Sequence, residues 1–382
     1  MAIKVYLDVS FHPFYESLIF YPPEDIEFVN INRDKILKEY NKLSVYSSFK
    51  LNLFKKFVLK FQYITSIPRI KIVKKRNFDL YHSGRGIFIE GTDYVMDLEY
   101  VTSPYGLNWD LAKRKISKFI LKKLFLKDNL KFILPHSYSA MYSIRDFLGS
   151  DFFNRIKEKI EVLYPAELPK VNKHKKLNKD KIILLFVASS IGNFIFKGGL
   201  EVLHAFLELR NKYDLELWIR SDVPNVIKEK YKNIAKLIPK VDRDNLFEIY
   251  EQSDIFVYPT YRDTWGYVLL EAMSTALPII ASNTFAVPEI VKDYKNGLIV
   301  DVGKYKWNNG YLMDENTHKL VYWKPKKEII DKLKEKISEL IEDKKLYEEI
   351  SKNNLYEVID GRFSIKKRNK KLKEIYENAI RK

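Results

Sequence analysis

DTWGYVLLEAMSTALPIIAS, residues 263–282, decides the reading of this chain. It follows an apolar run, DIFVYPT at 254–260, with the length and composition of a buried strand. YVLLEAM then carries apolar residues on nearly every side of a helix, so the helix belongs in the interior. Glu271 lies within it, and a carboxylate there is costly without a partner. The unpaired N–H groups at the helix start, with the dipole behind them, favour an anion such as a phosphate. Gly266 lets a ligand approach that backbone closely. An acid before the helix, bare amides at its start and a second acid two turns on suit a phosphate-bearing ligand with hydroxyls at both ends. Eight residues of helix rise about 12 Å, roughly the reach from a sugar to a ribose across a diphosphate. A plainer account stands beside this one: Asp263 caps the helix and Glu271 pairs with a core Arg or Lys. A capping box is excluded, because the residue three after Asp263 is Gly266.

With its flanks, the stretch resembles the Glu-x7-Glu signature of the retaining family 4 glycosyltransferases, members of the group 1 glycosyltransferases with the GT-B fold. The residues that carry the resemblance are Asp263, Gly266, Glu271, Ala272, Met273, Pro278 and the following IIAS, continuing through PEIV at 288–291 and NGLIV at 296–300. It covers most of the second half of the chain. Two positions depart from the family pattern. Asp263 is one methylene shorter than the usual Glu, and Ala276 stands where the family usually has Gly.

Composition sets the outer bounds. The 382 residues suffice for two domains. No run of 18 apolar residues is present, and MAIKVYLDVSFHPFYES reads as a first strand rather than a signal peptide. The absence of cysteine excludes disulfides, thiol catalysis and Cys-based metal sites. These features point to the cytoplasm. The six histidines show no metal-ligand spacing, so no metal is expected. A net charge of +17 favours an acidic partner, although a general lysine bias gives the same number.

Along the first half, IKVYLDVS opens as a strand and runs into SFHPFYES, where His12 either lines a cleft or packs the turn. A polar helix is expected over 33–43. The stretch 49–77 holds nine Lys or Arg and no acid, with LNLFKKFVLKF patterned as a basic amphipathic helix suited to an anionic membrane surface or to a solvated Lys face over a core stripe. FDLYHS at 78–83 reads as a buried strand, with His82 at the end where open α/β sheets bind ligands. TDYVMDLEYV at 92–101 reads as a strand carrying Asp97 and Glu99 on one face, placed to orient an acceptor hydroxyl or simply to form the polar face of an edge strand. Residues 111–131 hold eight Lys or Arg against one Asp, with Ile116, Phe119, Ile120 and Leu124 at helical spacing. KFILPHSYSA and KIEVLYPAELP read as the last strands of this half.

The second half restarts at IILLFVASS, 182–190, after a basic, Pro-containing linker at 169–181. A Gly-containing loop and the helix LEVLHAFLELRNKY follow. LELWIRS, a helix and strand over 231–240, the helix DNLFEIYEQS, a polar helix at 328–341 and a last helix at 365–380 complete the chain.

Alternation of strands and helices in both halves predicts two doubly wound, Rossmann-like α/β domains. The resemblance makes them the two domains of a GT-B fold facing across a cleft: 1–168 for the acceptor and 182–382 for the nucleotide-sugar donor, the last helix crossing back to the first. It further implies a metal-independent hexosyltransferase with no cofactor, acting in polysaccharide or glycolipid biosynthesis. A UDP- or GDP-sugar is the expected donor and a saccharide or lipid-linked molecule the acceptor. Lys197 and Gly198 match the family's Lys-Gly pair at the donor diphosphate. The family's Gly-Arg pair has no counterpart, and Ser190 stands near its place. Val241 is expected against the nucleobase. Asp263, Thr264, Trp265, Gly266, Tyr267, Val268 and Glu271 complete the donor site, with Glu271 on the ribose and Asp263 on the sugar. Asp97, Glu99, His12 and His82 are the acceptor-side candidates. Two other readings fit the same residues: a GT-B binding subunit with a degraded site, and a basic protein that binds anionic lipid or, less well supported, nucleic acid.

Overall fold

The computed structural model describes residues 2–9, 13–32, 60–71, 77–84, 86–88, 92–177, 181–189, 191–306, 308–313 and 324–381. His12, Ser190, the helix expected over 33–43 and most of the basic stretch 49–77 lie outside them. The chain forms two compact units, Met1–Pro165 with Ile365–Lys382, and Ala166–Ser364.

In the first unit, strands β1 (Ile3–Asp8), β2 (Ile26–Phe28), β3 (Leu80–Ser83), β4 (Tyr94–Leu98) and β5 (Leu130–Pro135) pair in parallel in the order β2-β1-β3-β4-β5. LYHS and YVMDL are buried at every position, as strands covered on both faces require. Helix α1 (Pro13–Phe20) follows β1. Helix α2 (Lys115–Phe125) precedes β5, and α3 (Tyr138–Leu148) follows it with Ser137 capping Ala140 N.

Four expectations for this half need correction. The last strand expected over 159–169 does not form, and only Ile160 bridges to Ile133. β4 ends at Leu98, so Glu99 lies beyond the strand and shares no face with Asp97. β4 is also flanked by β3 and β5, so it is not an edge strand. The phase of α2 differs as well. Ser117, Leu121, Leu124 and Phe125 are buried, whereas Ile116 and Phe119 are 51% and 57% exposed.

In the second unit, β6 (Ile182–Val187), β7 (Leu215–Arg220), β8 (Lys236–Ile238), β9 (Ile255–Tyr258), β10 (Ile279–Ser282) and β11 (Leu298–Val300) form a parallel sheet. Their order is β8-β7-β6-β9-β10-β11. Numbered within the unit this is 3-2-1-4-5-6, the dinucleotide-fold order, in which the winding reverses between the first and fourth strands. Helices α4 (Gly199–Leu209), α5 (Arg243–Gln252) and α6 (Tyr267–Ser274) cover it together with α7 (Lys327–Glu342) and α8 (Lys344–Ile359). The core joins Leu184, Phe186, Leu203, Phe206, Val257 and Ile280 to Ile330, Leu333 and Ile337 of α7. The described part of the stretch expected as the interdomain linker belongs to this unit: Lys170 N donates to Ser274 O (2.8 Å) and Lys175 N to Ser351 Oγ (2.7 Å).

Helix α9 (Ile365–Arg381) belongs to the first unit. Leu372, Ile375, Tyr376 and Ala379 form its buried face, and buried Arg368 donates to Ser17 O at 3.1 Å. Among the described residues no helix is long and apolar enough to cross a membrane.

Candidate functional site

Ligands of doubly wound sheets bind beyond the strand C-termini where the winding reverses. Here that place is bounded by the ends of β6 and β9. Beyond β6 comes the short helix Ile191–Phe196 and then the turn Lys197-Gly198. Gly198 has φ +80°, and a Cβ there would stand 2.6 Å from the Pro259 carbonyl oxygen, so only glycine lets this turn close on the end of β9. The packing places Lys197 beside Asp263. Its Nζ lies 2.6 Å from Asp263 Oδ2 and donates to Arg262 O at 2.7 Å, with 13% of the lysine side chain and 19% of the aspartate exposed. Tyr258 OH, at the end of β9, donates to the same aspartate oxygen. Burial first, and then the Asp263 charge, push the Tyr258 phenol well above its ordinary range.

Gly266, with φ +91°, begins α6 without a side-chain cap. Asp263 therefore does not cap the helix, and the plainer reading of that residue fails. Tyr267 and Val268 open the helix half-buried, and Thr264 is half-buried just before it. Trp265 is 4% exposed and packs edge-on against Phe363 at 6.0 Å. It is a core residue rather than a wall of an open site.

Glu271 is 4% exposed and has a partner at each oxygen. Arg243 Nη1 donates to its Oε1 at 2.7 Å, and Tyr250 OH to its Oε2 at 3.1 Å. The Nη2 of Arg243 donates to Glu167 Oε2 at 2.7 Å, which also accepts from Tyr267 OH at 3.1 Å. One guanidinium thus bridges two buried carboxylates, an arrangement its planar fork favours. Burial raises the Glu167 carboxyl, Arg243 opposes the rise and Glu271 adds to it. Each oxygen of Glu271 holds one donor, which leaves lone pairs for hydroxyls. Core pairing and ligand contact are therefore compatible here.

Arg220 ends β7 and donates from Nη1 to Ala188 O, at the end of β6, at 3.2 Å. Its Nε is buried with no hydrogen-bond partner among the described residues, and its charge reaches Tyr250. Val241 is half-buried between β8 and α5 on the same side of the sheet. The sequence reading missed Arg243, Glu167, Tyr250, Tyr258 and Arg220. Their partners lie on other elements, so no local spacing announces them. The apolar-to-basic break at the end of LELWIR was the one available signal for Arg220.

In the first unit the acceptor-side candidates form a closed cluster. His82 and Asp97 are each 1% exposed, with His82 Nε2 3.0 Å from Asp97 Oδ2 but out of line for a hydrogen bond. Tyr15 OH donates to Asp97 Oδ2 at 2.9 Å, and His82 Nδ1 meets Tyr376 OH of α9 at 2.5 Å. Burial raises the Tyr376 phenol, and the Asp97 charge adds to it. The chemistry visible here is the attachment of α9 to the sheet. Glu99 is half-buried beyond the strand. Among the described residues no group of three His, Asp or Glu is arranged to hold a metal ion.

Residues 169–309 match the family model of the glycosyl transferases group 1. The chain is 26% identical over 280 residues to an uncharacterized 41.2 kDa protein in the cps region of Klebsiella pneumoniae, covering 68% of this chain and 74% of that one. Over 121 residues it is 30% identical to a D-inositol 3-phosphate glycosyltransferase of Corynebacterium efficiens, and that match spans 28% of each chain. Among solved structures it is similar to Anabaena Alr3699/HepE in complex with UDP and glucose, with a TM-score of 0.61 and 13% identity over 99% of this chain and 100% of that one. At that identity the likeness is one of fold, and the fold class is GT-B.

Proposed function

The chain carries a group 1 glycosyl transferase domain over residues 169–309, and from that premise we propose that it moves a hexosyl group from a nucleotide sugar to a saccharide or lipid-linked acceptor, with retention of configuration and without a metal ion or other cofactor. The observation that carries the reading is the meeting of Lys197, Asp263 and the start of α6 where the sheet reverses its winding.

In the reaction the bond from the anomeric carbon to the diphosphate breaks, a bond to the oxygen of an acceptor hydroxyl forms, and the proton of that hydroxyl leaves on the departing diphosphate. The negative charge that gathers on the departing diphosphate is met by Lys197 and by the amides at 266–268. Glu271 accepts the ribose hydroxyls and Asp263 the sugar hydroxyls, which fixes the donor for attack. Because Lys197 and Asp263 neutralise one another in the absence of donor, the ammonium is shared between the carboxylate and the incoming phosphate. Arg220 and the amides offset the lack of a Gly-Arg pair after β6.

The relatives support a nucleotide-sugar donor: the Anabaena structures hold UDP, glucose and UDP-glucose. The Klebsiella relative's location in a cps region favours polysaccharide synthesis. We place the protein in the cytoplasm, peripheral on the inner face of the membrane. Supporting this, Ile116 and Phe119 stand exposed among Lys115, Lys118, Lys122 and Lys123 of α2. Flotation with anionic but not neutral vesicles is the expected outcome, and equal behaviour with both removes the membrane part.

The donor site is tested by a melting panel of UDP, GDP, ADP, CMP and dTDP with EDTA, on wild type and Glu271→Gln. A ligand that binds only the native state raises its melting point. One nucleotide is expected to shift wild type and not the variant. No shift from any at millimolar concentration overturns the reading.

A further inference from the structure

Two donors reach Glu271 from a single helix. Arg243 and Tyr250 stand two turns apart on α5, so their side chains share one of its faces. Asp242 fixes where that helix begins, its carboxylate accepting Asn245 N at 2.9 Å. The Arg243 guanidinium is held from three sides. Its Nη1 donates to Glu271 and its Nη2 to Glu167, each at 2.7 Å, and the Phe247 ring packs against it with the centroid 4.9 Å from Cζ. Glu167 is itself anchored: Oε1 accepts Leu168 N at 3.0 Å, and Oε2 accepts Tyr267 OH at 3.1 Å. Tyr250 is fully buried, and its ring meets that of Phe256 of β9 edge-on at 5.6 Å. Burial, and then the Glu271 charge, push its phenol well above the ordinary range, so the hydroxyl keeps its proton and stays a donor. One oxygen of Glu271 is thus fixed by a charged fork and the other by a packed hydroxyl. The carboxylate cannot turn about its last bond without breaking one of these contacts.

We propose that Arg243 and Tyr250 are positioning residues for Glu271, presenting its remaining lone pairs to both ribose hydroxyls at once, and that this clamp makes the site select ribonucleoside over 2′-deoxyribonucleoside diphosphates, dTDP included. This rests on the donor reading above, in which Glu271 accepts the ribose. The cis-diol of ribose offers two adjacent O–H donors, one for each oxygen of a carboxylate. Removing the 2′-hydroxyl leaves a lone pair of a buried, charged acceptor unsatisfied, and a site built around a hydroxyl rejects the analogue that lacks it. A carboxylate free to rotate softens that penalty by turning to water or to another donor. The clamp forbids the turn, so the discrimination is set by α5 as much as by Glu271. A purely structural role for the two residues has a different consequence: loosening α5 would weaken ribo and deoxy ligands alike and leave their ratio where it was.

The test uses the full chain as wild type, Tyr250→Phe and Arg243→Lys. Each is titrated calorimetrically with UDP, GDP and ADP and with their 2′-deoxy counterparts. Wild type is expected to bind one ribonucleotide about 10–100-fold more tightly than its 2′-deoxy counterpart. Tyr250→Phe keeps the ring and removes only the donor, and the ratio should fall at least about threefold. Arg243→Lys keeps the charge without the planar fork that bridges the two carboxylates, and the ratio should fall there as well. Melts of the unliganded variants set a temperature at which each is folded, and either variant decides the matter if the other does not fold. No binding of UDP, GDP or ADP by wild type overturns the donor reading, and the clamp with it. Binding with a ribo-to-deoxy ratio near one in wild type, or with an unchanged ratio in a folded variant, overturns the clamp and leaves the donor reading standing.

Discussion

Replacing Arg243 by Met should unfold the second unit at markedly lower temperature, and more so in base than in acid. Arg243 makes two charge-assisted hydrogen bonds of 2.7 Å to carboxylates whose side chains are 4% and 5% exposed. Each such bond contributes about 1.5–3 kcal/mol, and removing one partner of a buried pair costs about 3–5 kcal/mol. The two figures agree on a loss of about 3–5 kcal/mol, equivalent to a fall in melting temperature of roughly 6–20 °C for a unit of this size. Protonation offers a partial escape. Burial already raises the Glu167 carboxyl, and Arg243 is the group that holds it down. Without the guanidinium it rises further above its unfolded value. A carboxyl raised on folding contributes stability below its ordinary range and loses it as pH climbs through the raised value. The deficit of Arg243→Met relative to wild type should therefore be smaller at pH 5 than at pH 8, and adding Glu167→Gln should recover part of it at pH 8. Thermal melts followed by circular dichroism at both pH values suffice. A melting point within about 2 °C of wild type at pH 8, or a deficit that grows on acidification, refutes the reasoning.

Asp263→Asn removes the competitor for Lys197; nucleoside diphosphate should bind about 3–10-fold more tightly by titration, while donor turnover falls at least about tenfold. Ala276 has φ +57° in the turn after α6. A non-glycine residue in that region costs about 1–2 kcal/mol, and glycine returns about 0.5–1 kcal/mol of that through its unfolded-state entropy, so Ala276→Gly should stabilise by up to about 1 kcal/mol in denaturant titration. Tyr376→Phe leaves buried His82 Nδ1 without the α9 hydroxyl and should cost about 1–3 kcal/mol in the same assay. Asp301 is held down to about 2 by the Gly303 N–H and then the Asn283 amide. A depressed carboxyl contributes stability above its unfolded value that is lost as pH falls toward about 2, so Asp301→Asn should flatten the acid limb of a melting-temperature profile below roughly pH 4.

What could be read from the sequence was local in origin. Apolar runs announced β1, β3, β4 and β5 of the first sheet and β6, β7, β9 and β10 of the second, because buried parallel strands need no partner pattern to be recognised, whereas the three-residue β2 was missed. Asp263, Gly266 and Glu271 share one turn and helix, and Lys197-Gly198 follows its strand after one short helix, so their spacing survives in one dimension. Arg243 could not be found that way: its partners are 28 and 76 residues distant, and nothing around it in VDRDNL marks a buried cation. Helix α8 was missed because its buried face is partly polar. Ser351 bonds Ala276 O and Asn354 bonds Leu277 O, so an apolar stripe is replaced by tertiary hydrogen bonds. The stripe assigned to 116–124 failed for a related reason. Ser117 is buried because it bonds Leu111 O and accepts Tyr105 at its carbonyl, and this rotates Ile116 and Phe119 outward. His82 was read as accessible because it ends a strand, and Asp97 because it stands on a strand face, yet both are buried, and Tyr376 of α9, 294 residues from His82 in sequence, meets the imidazole.

The most direct test of glycosyl transfer from a donor held by Lys197 and Glu271 is release of nucleoside diphosphate from UDP-glucose and GDP-mannose in EDTA. The assay compares wild type with Lys197→Met and Glu271→Gln. The expected result is release by wild type from one of the two sugars, undiminished by the chelator and reduced at least about a hundredfold in each variant. Release that needs a divalent ion, or that persists in both variants, would contradict the account.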